Sequence, residues 1–192
     1  MNEILITKLN KAYGQKIALR DFSAVIPKDR ITCIMGPSGC GKTTLFRILF
    51  GLEKADSGTV SGMPLKFSAV FQEDRLLEDF SVLANLRATR PRSVSDGEIL
   101  TCLESLGIGQ SAHEKTSGLS GGMKRRVAIA RALLAESEMI FMDEPFKGLD
   151  EETKIKVIRV LQQAGKPMAI ITHDPDDAKL LGAEIIQIIP AS

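Results

Sequence analysis

Eight residues, Gly36-Pro37-Ser38-Gly39-Cys40-Gly41-Lys42-Thr43, leave this chain few folds to choose from. They fit G-x-x-x-x-G-K-[ST]. A short apolar run, Ile31-Thr32-Cys33-Ile34-Met35, precedes them, and Thr43 to Phe50, whose apolar spacing suits a helix stopped by Gly51, follows. Strand, glycine-rich loop and helix in that order is the setting in which this motif holds phosphate. The glycines let backbone N–H groups from Gly39 to Thr44 close around phosphate oxygens, and the helix adds its positive end. Lys42 then meets the β- and γ-phosphates of a nucleotide, and the Thr43 hydroxyl ligates Mg²⁺.

A second pattern supports the first. Met139-Ile140-Phe141-Met142-Asp143-Glu144 is an apolar strand ending in two acids. The strand would hold Asp143 rigidly against Mg²⁺ and leave Glu144 where it could polarise a water attacking the γ-phosphate. Leu119-Ser120-Gly121-Gly122-Met123 opens a long helix, and its serine and glycines make a further anion-binding terminus. The chain has one phosphate loop, so Ser120, Gly121 and Gly122 would serve a nucleotide held by a partner across a two-fold interface. A plain glycine-rich N-cap is the alternative reading of this motif.

The rest of the chain reads as an α/β domain. Glu3 to Leu9 and Ile17 to Ile26 predict an antiparallel hairpin or meander around a turn at Tyr13-Gly14. Gly58 to Ser61 and Phe67 to Gln72 predict strands, and Leu76 to Ala112, where leucines recur at helical spacing, predicts a mostly helical stretch. Within it, Ser95 and Glu98 have capping-box form, for a helix ending near Gly107. Helices at Gly121–Glu136, Glu151–Ala164 and Pro175–Leu181 alternate with strands at Met139–Met142, Met168–Ile171 and Glu184–Ile188. This alternation implies a mainly parallel sheet with helices on its faces.

Taken together, these motifs resemble the nucleotide-binding subunit of ATP-binding-cassette (ABC) transporters from Tyr13 to His173. The resemblance implies a P-loop NTPase core with an N-terminal antiparallel β subdomain and a small inserted helical subdomain. The core would comprise residues 1–72 and 119–192, and the insert residues 73–118. Tyr13 then resembles the aromatic residue that stacks on adenine, and Gln72 the glutamine that closes a strand and reaches Mg²⁺ and water. His173 resembles the switch histidine that contacts the γ-phosphate, and Asp150 the aspartate of the loop touching the opposite subunit. Leu76, Leu77 and Phe80 resemble part of the groove that receives a permease helix, or are subdomain core. His113 matches no motif and reads as a solvated loop residue. Met123, where many members have glutamine, and Lys147-Gly148, where a small pair is commoner, depart from the pattern and bear on the interface.

The implied activity is ATP hydrolysis with Mg²⁺ by an ATP-dependent homodimer that drives a separate transmembrane permease, in importers together with a solute-binding protein. A soluble module driving cytosolic partners fits the same motifs, whereas a monomeric P-loop kinase has no use for Ser120-Gly121-Gly122. Gln72-Glu73-Asp74-Arg75-Leu76-Leu77 is similar to importers of the nitrate, sulfonate and taurine type. The short stretch after His173 predicts no C-terminal regulatory domain.

Composition agrees with this reading. Lys+Arg number 25 against 24 Asp+Glu, a net charge of +1, which argues against a nucleic-acid-coating surface or polybasic membrane anchor. Three scattered cysteines support neither a disulfide framework nor a zinc site and suit a reducing cytosol. With neither a signal sequence nor a membrane-length apolar run, the expected location is the cytoplasm, peripheral on the cytoplasmic face of the membrane.

Overall fold

The computed structural model describes residues 2–190. Strands β1 (Glu3–Tyr13) and β2 (Lys16–Pro27) form the expected hairpin, and β4 (Ser57–Ser61) joins the other side of β1 in an antiparallel sheet ordered β2-β1-β4. The hairpin is longer than its apolar residues suggest. Tyr13 pairs with Lys16 as the last residue of β1, so the reversal falls on Gly14 and Gln15 rather than on Tyr13 itself. Gly14 supplies the left-handed conformation that such a short connection needs, with φ 59°.

The second sheet is parallel throughout and ordered β5 (Phe67–Val70), β6 (Met139–Asp143), β7 (Met168–Ile171), β3 (Ile31–Met35), β8 (Glu184–Gln187). Every residue of β6 and β7 is buried, which is why both read as unbroken apolar runs rather than alternations. One side chain layer joins this sheet to α1 (Lys42–Leu49) and the antiparallel sheet. Phe46, Phe50, Phe67 and Phe141 pack there with ring centroids 5.2–5.5 Å apart. The other layer lies beneath α2 (Val82–Arg87), α3 (Asp96–Ser105), α4 (Gly121–Leu134), α5 (Glu151–Gln163) and α6 (Pro175–Leu181).

The helix ends follow local chemistry. Ser95 caps α3 reciprocally with Glu98, Asp150 caps α5 and Asp174 caps α6 ahead of Pro175. The mostly helical reading of Leu76–Ala112 needs correction: its regular helices are α2 and α3, with one 3-10 turn at Gly109–Ser111. Leu76 and Leu77 lie outside helix because the buried Asn85 amide acts as a strand partner for residue 77. Asn85 Oδ1 accepts from the Leu77 N–H at 2.7 Å, and Asn85 Nδ2 donates to the Leu77 carbonyl at 3.0 Å. A second correction concerns Gln72, which lies beyond the end of β5 in an irregular segment rather than closing the strand.

β6, β7 and β3 are neighbours in the sheet, so the acids after β6, the histidine after β7 and the glycine-rich loop after β3 emerge side by side. Ligands of open α/β sheets bind at this carboxyl edge. No helix among the described residues is long and apolar enough to cross a membrane.

Candidate functional site

The loop between β3 and α1 has the backbone of a phosphate cradle. Gly39 and Gly41 have φ of 82° and 98°, and a Cβ on Gly41 would meet the Ala18 carbonyl oxygen at 2.2 Å. Glycine at 41 is thus required by both conformation and space. The first hydrogen bond of the helix runs from the Leu45 N–H to the Gly41 carbonyl, leaving the N–H groups of Lys42, Thr43 and Thr44 ahead of it.

Lys42 shows what that cradle lacks. Its side chain is buried and its Nζ donates to the carbonyls of Gly36 at 2.6 Å and Pro37 at 3.0 Å, with Cys40 Sγ at 3.9 Å. Among the described residues no carboxylate forms an ion pair with it. A buried ammonium held only by neutral carbonyls is under-compensated, and an anion resting on the adjacent N–H groups would supply the missing charge. The residues present therefore fit a polyphosphate.

They also fit Mg²⁺. The Thr43 hydroxyl donates to Asp143 Oδ2 at 2.9 Å, bringing together two hard oxygen donors that lie far apart in sequence. Burial pushes the Asp143 carboxyl above its ordinary pKa, opposed by the Thr43 hydrogen bond and raised further by neighbouring Glu144. A cation beside it would relieve that penalty.

Glu144 follows directly, with φ 52°, a left-handed conformation that costs a non-glycine residue on the order of 1–2 kcal/mol. Its N–H donates to the Ile171 carbonyl at 2.9 Å, which ties the turn to β7. The turn brings the Glu144 Oε2 to 2.9 Å from His173 Nδ1, and His173 remains largely exposed. A carboxylate that hydrogen-bonds a histidine at the edge of a phosphate cradle can take a proton from water.

Tyr13 shares a cleft of about 370 Å³ with Gly39, Gly41 and Thr44. The residue is 44% exposed, and its hydroxyl donates to Glu53 Oε2 at 2.5 Å. Thr43 joins this cleft to a larger one of about 890 Å³ that is lined by Gln72, Asp143, Ser120, Gly121 and Asp150 among others. Ser120 Oγ accepts from the Met123 N–H at 3.3 Å, so it does act as the N-cap of α4, while Gly121 has open space around it. Both oxygens of Asp150 are taken by Thr153, one by its N–H at 2.9 Å and one by its hydroxyl at 2.8 Å. The Lys147-Gly148 departure has a local reason: Gly148 has φ 79°, which glycine tolerates best, and its carbonyl packs against Gly122. Ser38 and His113 are exposed. Leu77 and Phe80 are exposed as well, whereas Leu76 packs against the core.

Arg125 and Arg131 escaped the sequence reading. Both reach back from α4 to the segment carrying Gln72. The basic run Lys124-Arg125-Arg126 immediately after the Ser120 motif was the available signal.

A family model described as ABC transporter matches residues 19–147. An aliphatic sulfonates import ATP-binding protein of Paracoccus denitrificans is 36% identical over 189 residues, which cover 95% of this chain and 78% of the relative. A protein of the same description from Nocardia farcinica is 37% identical, over 95% of this chain and 76% of its own length. The dimeric structure of a bacterial ABC transporter cassette superposes with a TM-score of 0.83 at 29% identity, covering 96% of this chain and 94% of that one. A post-hydrolysis dimer bound to ADP and Pi gives a TM-score of 0.82 at 30% identity, with the same coverage. The phosphate cradle and its acids thus sit in a chain that matches such cassettes almost from end to end, and it belongs to the ABC transporter family as an ATP-binding subunit that hydrolyses ATP.

Proposed function

We propose that two copies of this chain close around two MgATP and drive a separate importing permease whose solute is an organic sulfonate. The buried Lys42, which forms no ion pair among the described residues, carries the nucleotide reading, because its ammonium places a demand for negative charge at the head of α1. Ser120, Gly121 and Gly122 line the larger cleft with Thr43 and offer a second anion-binding helix end. In the dimer this end faces the partner's nucleotide. Residues 1–72 and 119–192 act as the catalytic core and residues 73–118 as a helical subdomain.

The roles within the site follow from its geometry. The N–H groups from Gly39 to Thr44 and the Lys42 ammonium bind the phosphates, while Gly36 and Gly41 let the loop close and Pro37, Ser38 and Cys40 form its span. Tyr13 stacks on the adenine, a contact that needs only a ring face. Thr43, Asp143 and Gln72 hold Mg²⁺, which when bound offsets charge on the phosphates. Glu144 accepts a proton from the attacking water as the new P–O bond forms and the bond to ADP breaks. His173 fixes the Glu144 carboxylate and contacts the γ-phosphate. Asp150 shapes the loop against the opposite subunit. Most of the acceleration comes from placement and fixed charge.

The chain works at the cytoplasmic face of the membrane, with Leu77 and Phe80 exposed on the helical subdomain as the contact for a permease helix. The sulfonate assignment rests on the relatives, which are described as aliphatic sulfonate importers, and on the Gln72–Leu77 stretch. The test is transport by vesicles holding this chain, its permease and a solute-binding protein. Alkanesulfonate uptake dependent on ATP is the expected result. Uptake of an unrelated solute with none of alkanesulfonate would overturn the assignment, and failure to associate with any permease would favour a soluble module.

A further inference from the structure

Residues 71–76 belong to no helix or strand, yet four of their carbonyls are gathered by a single helix. Arg125 donates from Nη1 to the Phe71 carbonyl at 2.5 Å and from Nη2 to the Gln72 carbonyl at 3.0 Å. The same guanidinium pairs with the Asp74 carboxylate at 3.0 Å. Further along α4, Arg131 donates to the Asp74 and Arg75 carbonyls, each at 2.8 Å. Arg125 is only 4% exposed. Leaving its place would strand a buried charge and two carbonyls, whereas a planar guanidinium in place locks the backbone it bridges.

The Gln72 side chain is the exception in this segment. Its backbone is tied to α4, while its amide makes no hydrogen bond among the described residues and lines the cleft with Thr43 and Asp143. The helix that holds the tie begins at Gly121, directly after the Ser120 cap. One rigid rod therefore carries the second anion-binding terminus at its head and the anchor of the Gln72 segment on its flank.

We propose that Arg125 is a positioning residue for Gln72: it fastens the backbone of the Gln72 segment to α4 and so holds the Gln72 amide within reach of the magnesium site. This rests on the reading of Gln72 as a metal-reaching residue.

The test compares Arg125→Lys with Gln72→Ala in the full chain. Lysine keeps a positive charge beside Asp74 but cannot bridge the two carbonyls as a fork. Mn²⁺ replaces Mg²⁺, and its binding in the presence of ATP is followed by loss of the free-ion paramagnetic resonance signal. Melting temperature and metal-free ATP affinity are measured alongside. Gln72→Ala should weaken Mn²⁺ binding on the order of tenfold, and Arg125→Lys should do the same with metal-free ATP affinity unchanged. Weakening in Gln72→Ala alone would overturn the tether and leave the metal role of Gln72 standing, even if Arg125→Lys melts lower. Weakening in neither variant would overturn both.

Discussion

Glu144→Gln is expected to bind ATP as the unmodified chain does and to hydrolyse it on the order of 10²–10⁴-fold more slowly, the usual contribution of a positioned general base. The amide is close to isosteric and can still hydrogen-bond to His173 Nδ1, now 2.9 Å from the carboxylate, so the left-handed turn at residue 144 and its tie to Ile171 remain. What disappears is the ability to take a proton. The effect should therefore fall on kcat, with nucleotide affinity measured by equilibrium titration unchanged. Turnover retained at the level of the unmodified chain would remove Glu144 from the role of base.

Lys42→Ala should fail at the opposite step. Charge-assisted hydrogen bonds to phosphate contribute about 1.5–3 kcal/mol each, so nucleotide binding should weaken on the order of 10- to 100-fold. The same substitution deletes a buried ammonium whose hydrogen-bond partners among the described residues are the neutral Gly36 and Pro37 carbonyls and Cys40 Sγ. Loss of that uncompensated charge offsets the lost packing of its stem, and the ligand-free protein should melt within about 4 °C of the unmodified chain. Calorimetry for binding and for melting checks both halves. Undiminished binding would show that the ammonium meets no phosphate, and a collapse of the ligand-free melt would show that Lys42 is structural.

What could be read from the sequence was what is local to it. The phosphate loop, the acids after β6, the Ser95–Glu98 capping box and the apolar runs of β6 and β7 each occupy a few consecutive residues. Their physics is complete within that span. The parallel sheet followed from alternation of strands and helices, and its order brought Asp143, Glu144 and His173 to one edge.

What escaped depends on partners distant in the chain. Arg125 meets Phe71 across 54 positions, and the preference for Gln72 beyond the strand end rather than within it follows from that contact. The Leu76–Ala112 stretch has leucines at helical spacing, yet the Asn85 amide holds Leu77 extended from eight positions away. That a side chain amide would replace a helical turn is not visible in periodicity. The backbone of Glu144 is a further case. Nothing about a glutamate predicts φ 52°, and the conformation is held by the Ile171 carbonyl on the neighbouring strand.

In the proposed dimer the catalytic site is composite, built from the phosphate loop of one copy and the Ser120 terminus of another. Light scattering on Glu144→Gln with and without MgATP addresses it most directly, since blocked hydrolysis should hold the closed form. The mass should double from 20.9 kDa on addition of MgATP, and Ser120→Arg in the same background should stay monomeric while still binding ATP. A persistent monomer that binds MgATP tightly, or a dimer indifferent to Ser120→Arg, would contradict it.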